Sequence, residues 1–343
     1  MKLLKKVFIY LKQFGLSRTL SYLRANIHMY SYKDFEGYQW RNPNCRDHEH
    51  KDRIVAIIGS GRFAFSTVAY FLEKNTKNFL RYVYSPGRKR AVSLCKSFNG
   101  LYVPSDWRDI LKDEKVKLVF ILSPPETHAD YAIECINAGK NVYIEKPPVI
   151  SESQLELLKE SMIENPECKV FLGFNRSSSA TFTELKNLLT NESGSIRAKC
   201  YMSVNKSKKN VKKLDSDKAI LEHICHLTDL ILRLVSQEKV FPYVIQDQEI
   251  LLNEDELGLS FSILFADQSK VSFYYKEIPD FHEGMKEILE IDKGNLKAQL
   301  INFQELKTEL HEKKVIKRTK YRDHGHGISI QEAYFSTLNN LGS

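Results

Sequence analysis

The sequence has no run of about 20 apolar residues, the length a membrane-spanning helix requires. Its first apolar run, Val7 to Leu11, is also too short for a signal-peptide core, so a soluble, cytoplasmic chain is expected. No Cys-x-x-Cys pair occurs. The six cysteines (Cys45, Cys95, Cys135, Cys168, Cys200 and Cys225) are scattered, which suits reduced, packed thiols and argues against a disulfide framework. No zinc-finger, RNA-binding or basic-helix motif accompanies the net charge of +8, so nucleic acid is not an expected partner. Internal repeats and low-complexity tracts are missing as well. The sharpest absence is local: residues 1–30 hold no Asp or Glu against six Lys/Arg (Lys2, Lys5, Lys6, Lys12, Arg18 and Arg24).

What is present divides into segments. A chain of 343 residues, 42% hydrophobic and 27% charged, has room for two globular domains. Residues 1–50 read as a basic, amphipathic extension and linker. Leu4, Val7, Phe8, Leu11 and Phe14 recur at helical spacing, and Leu20, Leu23 and Ile27 do so again after Gly15-Leu16-Ser17. Two roles fit it: weak contact with an anionic membrane, or an arm packing on another domain or subunit.

Residues 51–168 alternate short apolar runs (Ile54–Ile58, Leu80–Tyr84, Leu118–Leu122, Asn141–Ile144) with helical stretches (Phe65–Leu72, Arg88–Phe98, His128–Asn137). That alternation predicts a doubly wound parallel sheet covered on both faces, since parallel strands require crossovers. Residues 169–335 carry longer strand-like runs joined by short turns and one helix over about Ala219–Val235. They predict a second α+β domain with an open, mainly antiparallel sheet.

Gly59-Ser60-Gly61-Arg62-Phe63-Ala64 follows the first apolar run and precedes a helical stretch, the context in which such a loop binds a dinucleotide. Gly59 permits the turn, Gly61 lets the backbone approach a pyrophosphate, and Ala64 allows close helix–strand packing. The second strand ends in Ser85-Pro86-Gly87-Arg88-Lys89-Arg90, with no acid to accept from ribose hydroxyls. Ser85 and Arg88 suit a 2′-phosphate, so NADP is favoured over NAD. Ser123-Pro124-Pro125-Glu126-Thr127-His128 follows a later strand, and Ser123, Pro124 and His128 are expected to line the nicotinamide half of the site. His128 reads equally as a residue that merely starts a helix.

Glu145-Lys146-Pro147 ends the next strand, where the Lys146 ammonium can hydrogen-bond an oxygen on a reacting carbon. Downstream, Glu222, His226, Asp229 and Arg233 form one stripe of the predicted helix, and a carboxylate one turn from a histidine can orient its imidazole. His223 and His226 with one Glu make a poor metal set, so no metal is expected.

These motifs resemble the Gfo/Idh/MocA family of NAD(P)-dependent oxidoreductases. The resemblance runs from Gly59–Ala64 through Pro125–His128, Ala138–Pro147 and Gly173-Phe174-Asn175-Arg176 to Glu222 and His226-Leu227-Thr228-Asp229. The wording of the glycine loop, Gly173–Arg176 and Met202-Ser203-Val204-Asn205 is similar to members acting on sugars in polysaccharide biosynthesis. The resemblance implies a Rossmann domain plus an open-sheet domain that makes homo-oligomers. It implies Lys146 as catalytic lysine, His226 as acid/base and Glu222 as its partner, with Asn175, Arg176 and Asp229 also at the substrate. Ser60, Arg62, Phe63 and Glu145 join the cofactor set. The expected activity is hydride transfer at a secondary alcohol or ketone of a sugar or sugar nucleotide. The departures at Asp217-Lys218-Ala219, Ser177 and Glu222 leave one alternative, a silent NAD(P)-binding scaffold or sensor.

Overall fold

The structure, a computed structural model, describes residues 2–30, 40–43, 45, 53–206, 223–235, 240–252, 257–279 and 285–339. It divides into two compact units. One comprises Leu16–Phe174 and His326–Ser343, the other Met1–Gly15 and Asn175–Gly325.

The first unit is built on a seven-stranded sheet. In chain order the strands are β1 (Trp40–Arg41), β2 (Val55–Ile58), β3 (Leu80–Tyr84), β4 (Tyr102–Val103), β5 (Leu118–Ile121), β6 (Asn141–Ile144) and β7 (Val170–Leu172). Their spatial order is β1-β4-β3-β2-β5-β6-β7, parallel except for the edge pair β1–β4. Successive side chains enter opposite cores, as the pleat requires. Val55, Ile57, Leu118, Phe120 and Tyr143 share one core; Ala56, Ile58, Val119, Ile121 and Val142 share the other.

The helical turns from Arg62 through α2 (Tyr70–Asn75), α3 (Arg88–Ser97) and α9 (His326–Asn339) cover the first core; α4 (Asp109–Lys112), α5 (His128–Asn137) and α6 (Glu152–Glu164) cover the second. Ser151 caps α6 by accepting from the Gln154 amide. This parallel, doubly covered sheet is the architecture expected from the alternating runs. The parallel sheet also runs past residue 168, because β7 pairs with β6. Two further elements depart from expectation: β1 lies in the stretch read as linker, and α9 returns to this unit from the chain's end.

The extension forms a single helix, α1 (Lys2–Met29), broken at Gly15 with φ 78° and ψ 174°. A Cβ at Gly15 would lie 2.8 Å from the Tyr321 ring, so glycine serves both the bend and the contact. The two helical runs read on either side of Gly15 correspond to this break.

The second unit holds an eight-stranded sheet: β8 (Arg197–Lys206), β9 (Tyr243–Leu252), β10 (Leu257–Phe265), β11 (Lys270–Pro279), β12 (Lys286–Lys293), β13 (Leu296–Ile301), β14 (Glu305–Leu310) and β15 (Lys313–Arg318). Its order is β15-β14-β13-β12-β8-β11-β10-β9, antiparallel except for β8–β11. Cys200, Met202, Phe273, Ile291 and Leu300 turn one face to a core shared with α7 (Ala180–Thr190) and α8 (Cys225–Leu232). The opposite face is polar, with Gln299 donating to Glu290 at 2.9 Å, and forms a groove of about 980 Å³.

A charged cluster lies inside this unit. The buried Arg176 guanidinium donates to Glu287 at 2.5 Å, and His324 Nε2 sits 3.3 Å from the other Glu287 oxygen. Burial alone would raise the Glu287 carboxyl, but Arg176 and His324 outweigh it and bring it down to about 2. Glu287 therefore supports folding above its ordinary 4.5, and that support is lost as pH falls from 4.5 towards about 2. Replacing Glu287 by Gln strands the buried Arg176 charge; unfolding in urea is expected to show a loss of roughly 3–5 kcal/mol. An unchanged midpoint would show that the pair does not hold this unit together.

Candidate active site

The glycine loop is fixed by what surrounds it. Gly59 adopts φ 104°, and a Cβ there would lie 2.4 Å from the Leu122 carbonyl oxygen. Its amide donates to Tyr84 O at 2.8 Å, and the Leu122 amide donates to Ile58 O at 2.7 Å. The loop is thus held between the carboxyl ends of β3 and β5, the place where the sheet's strand order reverses. A Cβ on Gly61 would meet nothing within 4 Å, whereas the neighbouring Ser60 hydroxyl is buried with no hydrogen-bond partner. Arg62 and Phe63 open the following helix, and Ala64 and Phe65 are buried in the core. An open backbone, an unpaired hydroxyl and a helix start fit a bound pyrophosphate.

Ser85 is buried at the end of β3, and Arg88, Lys89 and Arg90 begin α3 with no acid in its first turn. Positive side chains at the positive end of a helix are mutually unfavourable, and an anion there would relieve them.

The next two loops are joined by His128. It is buried, with Nε2 2.7 Å from Ser123 O and Nδ1 2.8 Å from Pro147 O. Both ring nitrogens are engaged by backbone carbonyls, so the ring ties two loops together rather than offering a nitrogen to a cofactor. Thr127 donates to Ser123 Oγ at 2.8 Å and holds the Ser123–Pro124 turn. On the far side of this clamp stand Glu145 and Lys146, both half-buried, and the Lys146–Pro147 bond is cis. Gly173 makes room for Glu145: a Cβ there would lie 2.8 Å from its carboxylate. Ser85, Gly59–Gly61, Ser123 and Lys146 therefore follow one another along the carboxyl edge of β3, β2, β5 and β6.

In the second unit, α8 carries His226 and Asp229. His226 is buried, and Glu222 lies outside the described residues. Burial raises the Asp229 carboxyl; Arg233, at 3.0 Å, and Ser177 pull the other way. The turn Asn175–Ser178 lies beside α8. Asn175 and Arg176, expected at a substrate, are buried; Asn175 donates to His324 O and Arg176 to Glu287. Phe63 packs edge-on against His326 within the first unit.

Sequence reasoning misses one residue on the glycine loop. His28 of α1 donates from Nε2 to Ser60 O at 2.9 Å, accepts from the Ser93 hydroxyl at 3.0 Å, and stacks on Phe65. Because a carbonyl only accepts, Nε2 carries the proton of the neutral ring. Apart from the helical spacing that continues to Ile27, the sequence holds no sign of this contact.

Burial lowers the His28 pKa from 6.5; Arg90 lowers it further, and the bond to Ser60 opposes both. The unfolded chain therefore takes up protons first as pH falls, and stability drops from about pH 6.5 down through the folded value. Thermal melts between about pH 7 and 5 should show this slope, and His28→Ala should remove it together with about 1–3 kcal/mol of stability. A variant with the wild-type slope would place the pH sensitivity elsewhere.

Residues 53–174 match the sequence profile described as "Oxidoreductase family, NAD-binding Rossmann fold", named GFO_IDH_MocA. Inositol 2-dehydrogenase of Salmonella paratyphi B is 27% identical over 135 residues, which is 39% of this chain and 40% of that protein. The chain thus matches less than half the length of that curated relative. Among solved structures, dehydrogenase MviM from Clostridium difficile superposes with a TM-score of 0.68 at 18% identity, covering 83% of this chain and 91% of that one. A levoglucosan dehydrogenase in complex with NADH and L-sorbose gives 0.66 at 17%, covering 84% and 90%. At such identities the likeness is one of fold.

Proposed function

We propose, from the match of residues 53–174 to the Gfo/Idh/MocA family profile, that the chain is an oxidoreductase of that family and transfers hydride at a secondary alcohol or ketone carbon of a sugar or sugar nucleotide. The observation that carries this is the order along the carboxyl edge: a pyrophosphate loop at Gly59–Gly61, then the clamped loops, then Lys146. A nicotinamide dinucleotide supplies the hydride acceptor or donor. Lys146 directs its ammonium to the substrate oxygen and stabilises developing negative charge. His226 takes the hydroxyl proton in oxidation and returns it in reduction. Glu222 orients His226 or binds substrate, and Asp229, Asn175 and Arg176 shape the substrate side.

NADP is favoured over NAD by the positive charge of Arg88, Lys89 and Arg90 at the start of α3 and the absence of an acid in the segment after β3. The similarity of the glycine loop and of Gly173–Arg176 to sugar-acting members supports a place in polysaccharide biosynthesis. The groove across the polar face of the second sheet supports a homo-oligomer formed there. Among the described residues no helix is long and apolar enough to cross a membrane.

Two measurements test the reading. Lys146→Ala should lower turnover by roughly 10²–10³-fold, the scale of losing one oxyanion donor, while nucleotide affinity stays within about twofold. Full turnover in the variant refutes the assignment. Arg88→Ala should weaken NADPH about tenfold, the loss of one charge-assisted hydrogen bond, and leave NADH unchanged. An equal loss for both cofactors argues against a 2′-phosphate site at Arg88.

A further inference from the structure

We propose that the outward face of residues 16–30 is a docking surface for an anionic lipid bilayer. The family match begins at residue 53, so α1 is an addition to the matched domain. The inward contacts of this segment fix its rotation. Ser21, Ala25 and His28 are buried against the nucleotide unit, and Arg18 donates to Ser66 O. A helix that covers a domain ordinarily turns its large apolar side chains inward. Here they point out: Leu16, Leu20, Ile27 and Tyr30 are 63%, 51%, 74% and 68% exposed. Their spacing of four, seven and three places them along one stripe, with exposed Arg24 between Leu20 and Ile27.

Charge selects the occupant. α1 carries no acid; of its six Lys/Arg, Arg18 turns inward and Arg24 is exposed beside the stripe, while Lys2, Lys5, Lys6 and Lys12 lie in its first half. The helix as a whole therefore repels a second copy of itself and attracts an anionic surface. Aliphatic side chains, a terminal tyrosine and interleaved arginine are the composition a helix uses when it lies in a bilayer interface. No described helix is long and apolar enough to cross a membrane, so the contact is one of lying on the surface.

The test is co-sedimentation of the full chain with vesicles of phosphatidylcholine alone or mixed with phosphatidylglycerol. Binding should be at least about tenfold stronger to the mixed vesicles and should fall at high salt. The double variant Leu20→Glu/Ile27→Glu should lose that binding while its melting temperature and nucleotide affinity stay unchanged. Three results overturn the proposal: no binding to mixed vesicles at low salt, equal binding to both vesicle types, or a wild-type dimer without vesicle affinity that the double variant converts to a monomer. The last would assign the face to a second copy.

Discussion

The contact between Gly59 and the Leu122 carbonyl is the constraint on which the nucleotide unit depends. β2 and β5 are neighbours, and the chain leaves both at the same sheet edge. Any side chain on Gly59 would enter the backbone of the next loop, and its positive φ already disfavours one. Tight apposition there keeps the Ser123 carbonyl in place, where His128 reaches it; the same ring reaches Pro147. A line of backbone contacts therefore runs from the glycine loop to the residue after Lys146. Such a frame fixes the backbone on either side of Lys146 through contacts that do not involve its side chain.

The glycine loop is also held from its other side. The Ser60 carbonyl is engaged by His28, while the Ser60 hydroxyl remains buried and unpaired. An unmatched buried hydroxyl costs stability and persists where a ligand supplies its partner. The two groups of one residue thus differ: the carbonyl fixes the loop to α1, and the hydroxyl has no partner within the described residues. A similar division holds in the second unit. There Arg176 and Glu287 neutralise each other in the interior, whereas Asp229, on the same side of the sheet, is only partly balanced by Arg233.

Much of this was legible in the residues. Leu80–Tyr84, His128–Asn137 and Asn141–Ile144 have the limits their patterns predict, because each is bounded by glycine, proline or a turn and obeys one period. β7 is too short to show a period, and its place is decided by pairing with β6. The β14–β15 hairpin lacks an Asn-Gly signal; it turns on His311 and Glu312, both at positive φ, and β15 is a lysine-bearing exposed edge. In α9, Ile330, Ala333, Tyr334 and Thr337 do recur at helical spacing, but the helix belongs to the first unit although it follows the whole of the second in the chain, which no local pattern reports. His128 is legible as a helix start, and its clamp is not, since both partners are backbone atoms of other loops.

The inversion of α1 shows why a helical stripe alone does not reveal which way it faces. Leu20 and Ile27 recur at the spacing of a buried face, and a helix on a flat apolar surface would bury them. The surface beneath α1 is instead the glycine loop and the start of the next helix, whose carbonyls at Ser60 and Ser66 require donors. Close approach to that backbone admits Ser21 and Ala25, and the carbonyls are met by His28 and Arg18. Satisfying buried carbonyls outweighs burying two aliphatic side chains: an unpaired polar group costs about 1–3 kcal/mol, and a side chain already bordered by neighbours gains less than its full transfer value. The helix therefore turns Ser21, Ala25 and His28 inward and Leu20 and Ile27 outward, and hydrogen-bond demand rather than hydrophobicity sets its rotation.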